Sequence, residues 1–155
     1  MVAIRAASTE DAEEILVLQR LAYQSEARLY NDWSLPPLTQ TMDSLRSEFT
    51  NSIVLKATLG ERLVGSVRAR QNGDVCVIGR LVVHPELQGQ GIGSQLLRAI
   101  EARFSNVARF ELFTGSKSEA NIRLYQRHGY TITRTEKLSQ TVSITFMEKP
   151  PQVRV

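Results

Sequence analysis

Apolar and polar positions alternate in "VAIRAAS" near the start of the chain, which predicts a first strand. Ser8 or Thr9 can cap the next segment, "STEDAEEILVLQRLAY", whose first turn is acidic and whose stripe is Ile15, Leu18, Leu21 and Ala22. That pattern predicts a helix. It breaks in "SEARLYNDWSLPPLTQ", which holds Trp33 and two prolines, and resumes at helical spacing with Met42, Leu45 and Phe49. From Ser52 to Pro85 the chain reads strand, turn at Gly60, strand, Asn-Gly-Asp turn, strand. "QNGD" is a strong hairpin signal, so this middle section is an antiparallel meander.

Leu96, Leu97, Ile100 and Phe104 mark a helix to about Asn106, and "ARFELFTG" a strand. A short helix starts near Ser118 and stops at Gly129, a residue suited to the position after a helix. "YTITRTEKL" and "VSITFMEK" form a closing hairpin, and "PPQVRV" is a tail. The predicted order is β-αα-βββ-α-β-α-ββ. This is an α+β fold: a mixed, mostly antiparallel sheet of about six to seven strands flanked by four helices. The crossover through residues 94–106 pairs its two strands parallel or splays them as neighbours. Residues 1–149 are expected to form one domain, followed by a tail at 150–155.

Composition narrows the function. A chain of 155 residues has the usual size of one domain. It is 42% apolar and 23% charged, an ordinary globular composition. No apolar run approaches the ~20 residues of a membrane span. The N-terminus turns acidic where a signal peptide would be apolar. A cytoplasmic protein without a membrane partner is therefore expected. The net charge is +3 with no block of basic residues, which gives no indication of a nucleic-acid partner. The one cysteine, Cys76, permits no internal disulfide and no thiolate cluster, and its apolar neighbours suit a core strand. His84 and His128 stand alone, so no metal site is expected.

The candidate chemistry lies in "VVHPELQGQGIGSQLL", where Gly89, Gly91 and Gly93 occupy alternate positions between a strand and a helix. A P-loop is excluded because no Lys-Ser or Lys-Thr follows. Gly89-x-Gly91-x-x-Ser94, with Glu111 further on, nearly matches a dinucleotide fingerprint. That fingerprint opens a parallel βαβ unit, whereas an antiparallel meander stands upstream here. Two readings stay open on the glycines alone. One is a tight turn with positive φ. The other is a pyrophosphate cradle at a helix N-terminus, where unpaired N–H groups and a positive dipole end meet.

Gln88-x-x-Gly91-x-Gly93 resembles the Q/R-x-x-G-x-G/A motif of the GCN5-related N-acetyltransferase (GNAT) family. "SEANIRLYQRHGY", with Asn121 and Tyr125, resembles that family's second motif, with Tyr130 in place of the commoner Phe. The order of elements also fits that fold across residues 2–149. The resemblance implies transfer of acetyl from acetyl-CoA to an amine by direct attack in a ternary complex. A non-catalytic acyl-CoA-binding or sensor module on the same fold is the alternative.

The resemblance assigns CoA binding to Leu81, Val82, Val83, Gln88, Gly89, Gln90, Gly91, Ile92, Gly93, Ser94, Asn121 and Arg127. It makes the Val83 N–H the donor to the thioester carbonyl and Tyr125 the general acid for the leaving thiolate. The family's glutamate base would fall near Ile78 and is absent; Glu26, Glu111 or water could take its part. Tyr23, Glu26, Tyr30, Asp32 and Trp33 fall in the acceptor-selecting region, and of these Tyr23, Glu26, Tyr30 and Trp33 are the candidate substrate residues. The acceptor expected is a small-molecule or peptide amine, and a homodimer is compatible with the resemblance.

Overall fold

The computed structural model describes residues 1–151. Of the expected tail at 150–155, residues 152–155 lie outside the described residues. The strands are β1 (Ala3–Ala6), β2 (Ile53–Leu59), β3 (Arg62–Asn72), β4 (Val75–Val83), β5 (Arg109–Gly115), β6 (Thr131–Lys137) and β7 (Ser143–Lys149). The helices are α1 (Ala12–Ala22), α2 (Gln24–Tyr30), α3 (Pro36–Thr39), α4 (Met42–Asn51), α5 (Ile92–Glu101) and α6 (Glu119–Arg127). Among the described residues, seven strands make one mixed sheet in the order β1-β2-β3-β4-β5-β7-β6, antiparallel except where β4 meets β5.

The sheet is covered on both faces. On one, Leu96, Leu97 and Ile100 of α5 and Tyr125 of α6 pack against Leu55, Val67, Ile78, Phe110 and Met147. On the other, Ile15 and Leu18 of α1 and Leu45 of α4 pack on Val54, Leu63 and Val82. Beneath that second layer Arg68 is buried, with its guanidinium held by Glu48, Gln19 and Gln40.

The crossover expectation is met in both of its forms. β4 pairs parallel with β5 only at Val75↔Arg109, Cys76↔Phe110 and Val77↔Glu111. From Ile78 onward the two strands diverge. A bulge opposite Ser66–Arg68 marks the divergence, and there Arg80 adopts φ 51°, a left-handed conformation that costs a non-glycine residue roughly 1–2 kcal/mol. The bulge also changes which face alternate side chains meet: Ile78 joins the α5 core and Val82 the α1 core.

Two details differ from the sequence expectation. The segment read as a breaker region contains α2 and the single turn α3, giving six helices among the described residues rather than four. Ala27 and Tyr30 of α2 and Leu35 bury against Val142 and Ile144, contacts that only the tertiary fold supplies. Asn31 (φ 50°) ends α2, and Pro36 opens α3 with a φ already suited to a helix. Second, α5 stops at Glu101 rather than near Asn106. Arg103 and Phe104 donate to Ile100 and Glu101, three residues back, which tightens the last turn and ends the helix.

Candidate functional site

The divergence of β4 from β5 opens a cavity of about 450 Å³ that reaches both faces of the sheet. Its walls include Leu81, Val82 and Val83 of β4, Gln88 to Ser94 at the start of α5 apart from Gln90, and Asn121, Leu124 and Arg127 of α6. From the opposite side come Ala22, Tyr23, Ser25 and Glu26, at the junction of α1 and α2.

Backbone donors line this cavity for local reasons. Gly89 (φ 80°) and Gly91 (φ 85°) are both left-handed, and nothing lies within 4 Å of where a Cβ would stand on either. Gly91 caps α5, whose first internal bond runs from Gln95 N–H to the Gly91 carbonyl. Among the described residues, no group accepts from the N–H of residues 89–94. The loop thus presents consecutive free donors at the positive end of a helix dipole, a geometry suited to phosphate oxygens.

The β4 ladder shows where the Val83 N–H points. His84 N–H donates to the Val64 carbonyl at 2.8 Å, so 84/64 is a hydrogen-bonded pair of the antiparallel ladder. Val83 opposite Gly65 is then a non-hydrogen-bonded position, and its N–H points away from β3. β5 has already left that edge, so the N–H faces the gap. The Gln88 amide lies against the Val83 carbonyl at 3.5 Å.

Tyr125 is buried, 7% exposed, with its ring 6.0 Å from that of Tyr130. Burial pushes its hydroxyl well above the usual tyrosine range, and Tyr23 and Glu26 push it further. Tyr23 is raised too: burial is the main cause, Arg80 and Arg68 oppose it, and Glu26 adds to it. Two phenols and the Glu26 carboxylate therefore share one neighbourhood with two guanidinium groups. The Ser118 hydroxyl donates to Glu26 at 2.5 Å, and the Asn121 amide donates to Thr114 at 3.4 Å.

The residues expected at the site divide into two groups. Leu81, Val82, Val83, Gln88, Gly89, Gly91, Ile92, Gly93, Ser94, Asn121, Arg127, Tyr23 and Glu26 line the one cavity. Gln90 sits exposed at the loop tip, and Tyr125, next in sequence to the lining residue Leu124, is buried in the core and is not on the wall. Tyr30 and Trp33 do not line it. Tyr30 is 5% exposed, its hydroxyl takes the Lys117 N–H at 2.8 Å and meets the Ser118 hydroxyl at 3.0 Å, and it occupies the space over Gly115. Trp33 is 55% exposed. Glu111 stands in register with Glu148 in the sheet. His84 caps a single turn by accepting from Glu86 N–H, and His128 meets the Ser94 hydroxyl at 2.9 Å.

Sequence reasoning missed two residues here. Ser118 stood out only as a helix start, although its hydroxyl joins Glu26 and Tyr30. Arg80 gave no signal, because nothing in a sequence announces an arginine in a left-handed bulge. Among the described residues, no helix is long and apolar enough to cross a membrane, and no group of three or more His, Cys, Asp or Glu side chains could hold a metal ion.

The model of a family described as "Acetyltransferase (GNAT) family" matches residues 13–130. A curated relative, UPF0157 protein YqkA of Bacillus subtilis, is 24% identical over 144 residues, 93% of this chain. The chain spans only 41% of that protein's length. Among solved structures, PaiA N-acetyltransferase from Thermoplasma acidophilum, in complex with coenzyme A, superposes with a TM-score of 0.79 at 18% identity, covering 97% of this chain and 99% of that one. YncA from Salmonella typhimurium, solved with its cofactor acetyl-CoA, gives 0.76 at 21% identity over 100% and 96%.

Proposed function

Because the chain belongs to the GNAT acetyltransferase family, we propose that it acetylates an amine by direct attack in a ternary complex with acetyl-CoA, residues 1–149 acting as one domain. One observation carries this reading. A single cavity at the gap beside β4 is lined by Gly89 and Gly91 to Ser94 at the start of α5 and also by Tyr23 and Glu26 at the junction of α1 and α2. That arrangement suits a phosphate-bearing cofactor and an amine that must meet in the middle.

The cradle fits the cofactor. The N–H groups of residues 89–94 and the Gln88 side chain would hold the pyrophosphate, with Arg127 beside it. Leu81, Val82 and Val83 on one wall and Asn121 on the other would guide the pantetheine arm. Bound acetyl-CoA supplies the acetyl group as a thioester.

The remaining roles belong to the chain's own groups. The Val83 N–H is aimed into the gap and is the donor for charge growing on the acyl oxygen; losing such a donor costs about 3 kcal/mol. Glu26, the one carboxylate on the cavity wall among the described residues, holds the incoming ammonium and receives its proton. Tyr125 keeps its proton at neutral pH because its pKa is raised, and it can present that proton to the departing sulfur.

The test is an amine panel with acetyl-CoA, read by thiol release, beside calorimetry of CoA binding. Turnover of at least one amine is expected. Tight CoA binding with no turnover on any amine would replace the enzyme with an acyl-CoA-binding module.

A further inference from the structure

Ser94 is the one hydroxyl side chain in the 89–94 loop, and it lies on the cavity wall in the first turn of α5. Its Oγ stands 2.9 Å from Nε2 of His128 and has no other partner among the described residues. His128 is not itself on the wall; it ends α6. Its place is set by its own backbone. Gly129 turns left-handed at φ 91°, and the N–H groups of His128 and Tyr130 both return to the Tyr125 carbonyl at 3.0 Å. The two helices meet again one residue earlier, where a Cβ on Gly93 would stand 3.5 Å from Leu124. The Ser94–His128 bond therefore joins two packed elements, and both side chains are half-buried.

What Ser94 can offer the cavity depends on this bond. A hydroxyl has one hydrogen. While that hydrogen is spent on Nε2, Ser94 turns only lone pairs to the cavity, and these repel a phosphate oxygen. When Nε2 carries a proton and donates to Oγ, the hydroxyl hydrogen is released to the cavity. An anion in the cradle thus favours the ring protonated at Nε2. Burial holds His128 below the usual histidine range; of the charged groups that face it, Glu101 of α5 opposes this, while Arg98 of α5, Lys149 of β7 and Arg127 of α6 add to it. Glu101 is already paired with Lys149 at 3.0 Å. The ring is neutral at pH 7 and has a proton to gain when an anion arrives.

We propose that His128 is a positioning residue of the phosphate cradle: it holds the Ser94 hydroxyl with its hydrogen turned to a phosphate oxygen of the cofactor. This role rests on the acetyl-CoA reading. The bound phosphate then lies one hydroxyl away from the ring and draws a proton onto it from solvent. By linkage, CoA binds more tightly as pH falls.

Calorimetry of CoA binding to wild type, Ser94→Ala, His128→Ala and the double variant closes a cycle. Each single change should weaken CoA about tenfold, the share of one charge-assisted hydrogen bond, and the double variant should lose no more than about tenfold either. His128→Gln keeps an N–H donor and should stay within about threefold of wild type. Histidine NMR gives a second readout. The chain has two histidines, and the signal missing from His128→Gln is that of His128. CoA should raise its titration midpoint by roughly half a pH unit or more. Between about pH 7.5 and 5.5, wild type should gain at least about twofold in CoA affinity over His128→Gln, a ratio in which the cofactor's own phosphate titration cancels.

CoA affinity in His128→Ala within twofold of wild type, additive losses in the double variant, or a His128 titration that CoA does not move would each overturn the proposal and leave the acetyl-CoA reading standing. Should His128→Ala fail to fold, the wild-type titration decides alone. Absence of CoA binding to wild type would overturn that reading and this role together.

Discussion

Replacing Tyr125 by Phe removes one oxygen from a buried ring and tests the mechanism directly. The Tyr125 hydroxyl makes no hydrogen bond among the described residues, and it is not among the fully enclosed polar atoms left without a partner. Deleting it opens no cavity of consequence and strands no partner, so stability should change by less than about 0.5 kcal/mol. For a chain of this size that is a melting shift of no more than about 2 °C.

The rate should fall further. A positioned general acid contributes roughly 10²–10⁴-fold. Burial, then Tyr23 and Glu26, hold the Tyr125 hydroxyl far above the ~8.5 of a thiol, so full transfer to sulfur is uphill. The expected loss is therefore near the lower end, about 10²-fold in kcat, or about 2.7 kcal/mol. Thiol release at saturating acetyl-CoA measures it, and calorimetry should show an unchanged Kd for CoA.

The pH profile adds an independent check. A phenol with a raised pKa stays protonated through the ordinary tyrosine range, so wild-type kcat should show no Tyr125-dependent decline between about pH 8 and pH 10. A Phe variant within threefold of wild type would refute the general-acid role. A loss matched by equal weakening of CoA binding would reassign Tyr125 to packing.

Other expectations follow from the glycines and the cysteine. Gly91→Val forces a branched side chain to φ 85°, so it should cost at least about 1–2 kcal/mol in denaturant unfolding in addition to weakening CoA binding. Gly93→Ala is the cleaner probe: its methyl meets Leu124 and Val83 at 3.5 and 3.8 Å, ordinary contacts. Its stability should hold or rise by about 0.5–1 kcal/mol, while CoA affinity measured by calorimetry should drop at least tenfold; unchanged affinity would detach Gly93 from the cradle. A Cβ on Gly115 would collide with the Tyr30 ring, so Gly115→Ala should displace Tyr30, break its bonds to Lys117 and Ser118, and cost about 2–3 kcal/mol in urea unfolding. Burial pushes the Cys76 thiol up to about 12, with Glu101 adding to the shift, so native protein should give no thiol burst with a disulfide reagent at pH 8. A stoichiometric burst would contradict its burial.

Much of this architecture was legible because its signals are local. The Asn-Gly-Asp turn, the alternating runs around it and the Gly89–Gly93 loop before Leu96 and Leu97 carry their conformations in their own composition. The α2–α3 segment was not legible, because Ala27, Tyr30 and Leu35 become core only against Val142 and Ile144 at the other end of the chain. Tyr30 and Trp33 show the same limit. Aromatic residues beside an acid suggested a pocket, yet one latches a loop and the other faces solvent. The splay of β4 and the left-handed Arg80 arise from the register of β3, β4 and β5, which no single stretch encodes.

The strand order carries a consequence for biosynthesis. β7, the last strand among the described residues, lies between β5 and β6 rather than at an edge. A chain emerging from the ribosome can finish the β1–β4 meander early, but β5 and β6 then wait with open backbone. They stay exposed until the residues up to Lys149 have been made. Nascent chains stalled before Ser143 should thus be the species that chaperones and proteases recognise. A premature stop there would remove the partner of two strands at once, not merely shorten the protein.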